Sequence, residues 1–162
     1  MDTPRIDVRT IRVPLPDEAA TRALGGALAR AAKPGDVLLL DGPLGVGKTT
    51  LAKGFAAELG AAAAASPSFV VAHRYEGGPF PISHVDLYRL DSVAEIEALD
   101  LDLYLPDDGV SLIEWSRRAP GLWPSDRVEV VLAICGEGRE ATIVGRGTAA
   151  SAVAGILAVR LQ

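Results

Sequence analysis

Asparagine does not occur in this sequence, and glutamine occurs only at the last position, Gln162. A guanine-reading motif of the asparagine-lysine-x-aspartate kind is therefore excluded, and the threonine-lysine version is missing as well. The single cysteine, Cys135, rules out an internal disulfide. Within a strand-like stretch it reads as a small buried hydrophobe, in a chain from a reducing compartment. No apolar run approaches the roughly 18 residues of a membrane-spanning helix, and the N-terminal stretch has no apolar signal core. The expectation is a soluble, cytoplasmic protein. Positive charge is scarce too: 16 Lys and Arg stand against 21 Asp and Glu, for a net charge of −5. The broad basic footprint that grips a nucleic-acid backbone is absent, so strong direct nucleic-acid binding is not expected.

What is present is 162 residues at 49% hydrophobic composition, enough for one full core and one domain spanning 1–162. Ile6 to Ile11 alternates in period two and reads as a strand ending before Pro14 and Pro16. Asp17 caps a helix that Lys33-Pro34-Gly35 stops. Asp36 to Leu40 is an apolar run suited to a strand covered on both faces, as in a parallel sheet. From Lys48, the spacing of Leu51, Phe55 and Leu59 marks one helix face, closed by Gly60. The tract Ala61 to Ala65 admits two readings, a helix extension or a loose hinge. Ser68 to Tyr75 and Pro81 to Val85 resemble a hairpin turning at Gly77-Gly78-Pro79. A short acidic helix runs from Asp91-Ser92 through Leu99. The run Val110-Ser111-Leu112-Ile113 is a second buried strand, and Arg127 to Ile134 with Glu140 to Val144 forms a hairpin around Glu137-Gly138. The tail from Ala149 to Leu161 closes as a helix.

The chemistry concentrates in DGPLGVGKTT, residues 41 to 50. Gly42, Gly45 and Gly47-Lys48-Thr49 satisfy G-x-x-x-x-G-K-[ST], a phosphate loop between a strand and a helix. Its glycines let the Gly42, Pro43, Leu44, Gly45, Val46, Gly47 turn, with Lys48 to Thr50, aim its available backbone N–H groups inward as an anion nest at a helix N-terminus. Lys48 is placed to reach the β- and γ-phosphates of a nucleoside triphosphate, and the Thr49 hydroxyl to ligate Mg²⁺. ATP is favoured, since no guanine motif exists. Hydrolysis also needs a carboxylate at a strand end, and Glu114 and Asp86 both qualify. Which of the two positions the attacking water stays open. Asp41 precedes the loop and reads as fixing its geometry. His84 reads as a packed strand histidine before a catalytic base. A small-molecule kinase is the rival reading, with Arg117-Arg118 imitating an arginine lid, but no acceptor-binding cluster is visible.

Four further stretches narrow the choice: Thr21-Arg22-Ala23-Leu24-Gly25, Ser66-Pro67-Ser68-Phe69, His84-Val85-Asp86-Leu87-Tyr88-Arg89-Leu90 and Ile113-Glu114-Trp115. In this order they resemble the TsaE (also YjeE) family, the small bacterial ATPase of transfer-RNA threonylcarbamoyladenosine synthesis, from about Asp17 to Val144. The resemblance implies an α/β fold of the P-loop nucleotide hydrolase-like kind, with a mostly parallel central sheet flanked by helices and antiparallel hairpin additions. It implies a Mg²⁺-dependent ATP hydrolase, slow alone, that acts on the threonylcarbamoyl transferase and its catalytically inactive paralogue, the TsaD and TsaB family proteins. It implies that Lys48 and Thr49 bind phosphate and Mg²⁺, that Glu114 is the second metal-side ligand and that Asp86 serves hydrolysis. Thr21 and Arg139 would lie at the base end of the nucleotide, and Ser66 to Phe69 would form a switch-like segment near the γ-phosphate. Trp115 has two readings, a nucleotide-sensitive residue or core. The chain departs from the family pattern at Ser68, where threonine is usual. Ser116-Arg117-Arg118 stands where an acidic residue is frequent. Asp100 replaces a helix-closing glycine and is expected to tolerate the left-handed conformation.

Overall fold

The computed structural model describes residues 8–63 and 72–160. The expected switch-like segment Ser66 to Phe69 and the first half of the strand from Ser68 lie outside these residues. The chain runs through β1 (Val8–Leu15), α1 (Glu18–Ala31), β2 (Val37–Asp41) and α2 (Lys48–Glu58). Then come β3 (Ala62–Ala63), β4 (Ala72–Glu76), β5 (Ile82–Asp86), α3 (Val93–Ala98) and β6 (Val110–Glu114), and finally β7 (Arg127–Cys135), β8 (Gly138–Arg146) and α4 (Ala150–Arg160). The strands form one sheet in the order β1-β8-β7-β2-β6-β5-β4-β3. Pairing is parallel among the central strands β7, β2, β6 and β5, and antiparallel at both flanks. The expected mostly parallel sheet is thus the centre of a mixed one. No helix among the described residues is long and apolar enough to cross a membrane.

Every residue of β2 and β6 is buried, which fits the apolar run of β2 and the largely apolar one of β6: both sheet faces are covered. Leu38, Leu40 and Leu112 face a core shared with Leu24 and Leu28 of α1, Leu51 and Phe55 of α2, and Val153 and Ile156 of α4. Val37, Leu39 and Ile113 face the opposite core, with Ile96 of α3 and Trp123. Asp17 caps α1 as expected, its Oδ1 accepting the Ala20 N–H at 2.8 Å. Ser92 caps α3 through the Glu95 N–H at 3.2 Å.

Several local expectations give way to tertiary contacts. β1 continues through Pro14 to Leu15, because it is the sheet edge and proline there forfeits no ladder bond that a neighbour needs. Ala62–Ala63 is neither helix nor hinge but a short strand against Tyr75 and Glu76. The β7–β8 turn consists of Gly136 and Glu137, since Cys135 pairs with Gly138; Gly136 supplies the positive φ of 59°. Cys135 is exposed, not buried, because it lies at this hairpin tip beyond the covered part of β7. Asp100 has φ −77°, so the chain leaves α3 without a left-handed residue.

α1 and α2 cross where neither can carry a side chain. A Cβ on Gly25 would sit 2.2 Å from Leu51 O, and one on Gly54 would sit 2.3 Å from Arg22 O. Gly54→Ala is expected to force the helices apart and cost about 1–3 kcal/mol, read as a lower urea midpoint at unchanged slope. An unchanged midpoint would show that the helix pair relaxes freely.

Candidate functional site

β2 ends at Asp41, and the chain turns through Gly42 (φ 145°), Gly45 (φ 77°) and Gly47 (φ 118°) before α2 starts at Lys48. These values lie in the region that favours glycine. Gly42 has a second reason to lack a side chain, since a Cβ there would lie 2.4 Å from Leu132 O of β7. Val46 is buried in the core and Leu44 is 68% exposed at the loop tip. Only backbone atoms of Val46 are therefore available to a ligand.

Lys48 is 4% exposed. Its Nζ donates to Gly42 O at 2.7 Å and Pro43 O at 2.9 Å and lies 4.1 Å from the centroid of the Trp115 ring. Burial lowers its pKa from the usual value, opposed by the negative charges of Glu114, Asp41 and Asp86. Parallel pairing places Asp86, the last residue of β5, beside Glu114, the last residue of β6. Glu114 is 3% exposed. The Thr49 hydroxyl donates to its Oε1 at 3.2 Å and Oε2 at 3.1 Å, and His84 Nε2 lies 2.6 Å from Oε2. Asp86 Oδ1 accepts the Tyr88 N–H at 2.9 Å. Lys48, Thr49, Thr50, Asp86 and Glu114 line one cleft of about 210 Å³, closed on one side by Tyr88 and Trp115.

Thr21 and Arg139 do not enter that cleft. They line an adjoining one of about 200 Å³ that shares Gly45, Gly47 and Thr50 with it. Arg139 Nε–H donates to Val46 O at 3.3 Å, tying the β7–β8 hairpin to the loop. A ligand lying across the loop would have one end against Lys48 and Glu114 and the other against Thr21 and Arg139. An oxygen-lined pair such as Thr49 and Glu114 fits a hard cation of the Mg²⁺ class.

A family model described as "Threonylcarbamoyl adenosine biosynthesis protein TsaE" matches residues 15–141. The chain belongs to the TsaE family. That span contains every candidate residue from Thr21 to Arg139. The tRNA threonylcarbamoyladenosine biosynthesis protein TsaE of Bacillus subtilis is 41% identical over 129 residues, 78% of this chain and 80% of that protein. The protein of the same description from Nostoc sp. is 38% identical over 149 residues, 88% of this chain and 90% of that one. A crystal structure of Bacillus subtilis YdiB has a TM-score of 0.77 at 31% identity, covering 98% of this chain and 99% of that one.

At three residues of this site the structure adds to or changes the sequence reading. Asp41 does not brace the glycine loop. It receives the Ser116 hydroxyl and, at 3.1 Å, the Arg117 N–H, so it anchors the chain leaving β6. Trp115 is half-buried and left-handed, with φ 62°. That conformation turns it back over Lys48 and beside Tyr88, with ring centroids 5.0 Å apart, so it is both packing and site wall. His84 is a packed strand histidine as read, and it also bonds Glu114; the signal for that second role is its place two residues before Asp86, on the same strand face.

The buried ammonium gives a pH test. A lysine whose folded pKa lies below its unfolded value binds fewer protons when folded, so stability rises with pH between the two values. Wild type is expected to gain stability relative to Lys48→Met as pH rises through that window towards about 10.5. Urea unfolding across pH 7 to 10 reads the difference; a flat difference would show that the site does not desolvate Lys48.

Proposed function

We propose that this protein is a Mg²⁺-dependent ATPase with a P-loop nucleotide hydrolase-like fold, which supports N6-threonylcarbamoyladenosine modification of transfer RNA by acting on the transferase complex. What carries the reading is the Thr49 hydroxyl held against Glu114 at the mouth of the glycine loop. That is the oxygen pair a nucleotide-bound divalent cation needs, at the carboxyl ends of parallel strands where α/β sheets bind their ligands.

On this reading, the loop N–H groups and the positive end of α2 hold the triphosphate. Lys48 exchanges the Gly42 and Pro43 carbonyls for β- and γ-phosphate oxygens. Thr49 and Glu114 hold Mg²⁺, which when bound neutralises charge developing on the phosphates. Asp86, next to Glu114 but not bonded to Thr49, orients the attacking water. Thr21 and Arg139 receive the nucleoside end. The bond from Arg118 Nη1 to Leu90 O at 2.5 Å and the 5.3 Å from its guanidinium to the Tyr88 ring support a packing role for Arg118 over an arginine lid. Membership of a threonylcarbamoyladenosine family supports the transferase and its inactive paralogue, the TsaD and TsaB family proteins, as partners.

The test is Mg²⁺-dependent phosphate release by the pure protein, alone and with the transferase pair, with modified transfer RNA scored in the same tube. Lys48→Ala and Glu114→Ala are expected to lower hydrolysis by about 10²-fold or more and to stop repeated modification, with the circular dichroism spectrum unchanged. Full activity in Lys48→Ala would overturn the loop assignment. Phosphate appearing on a small acceptor, with no effect of the transferase pair, would make the protein a kinase.

A further inference from the structure

His84 is a polar residue at a core strand position. On β5, Ile82, His84 and Asp86 alternate on the sheet face that carries Val110, Leu112 and Glu114 of β6. His84 pairs with Leu112, one step below Glu114 on that face. Its ring is braced from β4 by His73, directly opposite, and by Tyr75, with centroids 6.3 Å and 6.2 Å away. The His84 and Glu114 side chains are each 4% exposed. The buried Nδ1 has no hydrogen-bond partner among the described residues, so the ring's one bond is from Nε2 to Glu114. Burying an imidazole with a nitrogen unsatisfied is unfavourable, and the leucine or valine used throughout β2 would avoid it. A carboxylate can only accept, so a bond to the ionised form of Glu114 requires the hydrogen on Nε2.

We propose that His84 is a positioning residue: its Nε2–H fixes the rotation of the Glu114 carboxylate, and with it the oxygen presented to Thr49 and the cation. The proposal rests on the Mg²⁺–nucleotide reading of the site. Thr49 cannot do this alone, because its hydroxyl stands almost equally far, 3.2 Å and 3.1 Å, from the two carboxylate oxygens and selects neither. His84 engages Oε2 only. Groups that orient a metal ligand from behind govern metal affinity as well as rate.

Two substitutions of similar size and polarity separate this role from simple packing. His84→Gln keeps an amide donor near the Nε2 position, whereas His84→Asn puts it near the Nδ1 position, out of reach of Glu114. Mg²⁺ is titrated calorimetrically into each protein complexed with a non-hydrolysable ATP analogue. Analogue binding in EDTA and the thermal midpoint are measured alongside. His84→Asn is expected to weaken Mg²⁺ binding by about tenfold or more, with binding in EDTA unchanged, while His84→Gln stays close to wild type. Equal Mg²⁺ affinity in all three proteins overturns the positioning role, and so does equal weakening or equal loss of fold in both variants. If wild type binds Mg²⁺ no more tightly than the analogue does without protein, the Mg²⁺–nucleotide reading fails and the proposal falls with it.

Discussion

A carboxylate buried at the end of a core strand must be met by donors, because leaving it unpaired would cost several kcal/mol. Glu114 meets this constraint by drawing two elements onto the end of β6. Thr49 comes from the first turn of α2 and His84 from β5; separately, the backbone carbonyl of Glu114 takes the Leu87 N–H at 3.2 Å. One residue further, the Trp115 N–H donates to Leu40 O at 3.1 Å, closing β6 onto β2. Helix α2 and strand β5 are thus tied to β6 through one carboxylate, and backbone bonds at the same level tie β6 to β2 and to the chain leaving β5. Moving the start of α2 away from β6 would withdraw the Thr49 hydroxyl and leave the carboxylate to His84.

The sheet order makes that meeting possible. β2 lies between β6 and β7, so the loop leaving it has a parallel neighbour on each side. β6 and β5 supply the carboxylates on one side, and the β7–β8 hairpin supplies Arg139 on the other. The Gly25 and Gly54 crossing then draws α1 against α2, which brings Thr21 over Gly47, where a Cβ would lie 3.3 Å from Thr21 Cγ2. Two adjoining clefts follow from one strand order and one close helix contact.

What the sequence made legible was whatever local pattern determines. The glycine loop, the Asp17 and Ser92 caps and the doubly buried β2 and β6 each need only a few consecutive residues to declare themselves. What it hid depends on partners far along the chain. Pro14 is compatible with a strand only because β1 is an edge. The turn register at Gly136 is set by pairing that runs the length of β7 and β8. Cys135 looks like core until the hairpin is seen to outreach the helices. At the site, Lys48, Thr49, Asp86 and Glu114 could be chosen by residue type and position at element ends. Asp41, His84 and Trp115 could not, because their roles are defined by Ser116, Glu114 and Lys48, which lie between 30 and 75 residues away.

Charge closes the argument. Lys48 is surrounded by Asp41, Asp86 and Glu114, so the mouth of the loop carries more negative than positive side-chain charge, in a chain already at −5. On the proposed reading, a polyanion is drawn there by Lys48, by oriented backbone dipoles and by the end of α2, whose field falls off within about a turn. Under the proposed reading, the divalent cation is therefore more than an aid to the reaction. It converts a repulsive carboxylate pair into part of the binding surface, so that triphosphate and Mg²⁺ are tight ligands together and weak ones apart. The same logic accounts for the surroundings of Lys48. With two carbonyls and an indole face to satisfy it, the ammonium can sit buried among acids without locking to any of them. A salt bridge to Glu114 would have occupied both the cation ligand and the phosphate ligand at once.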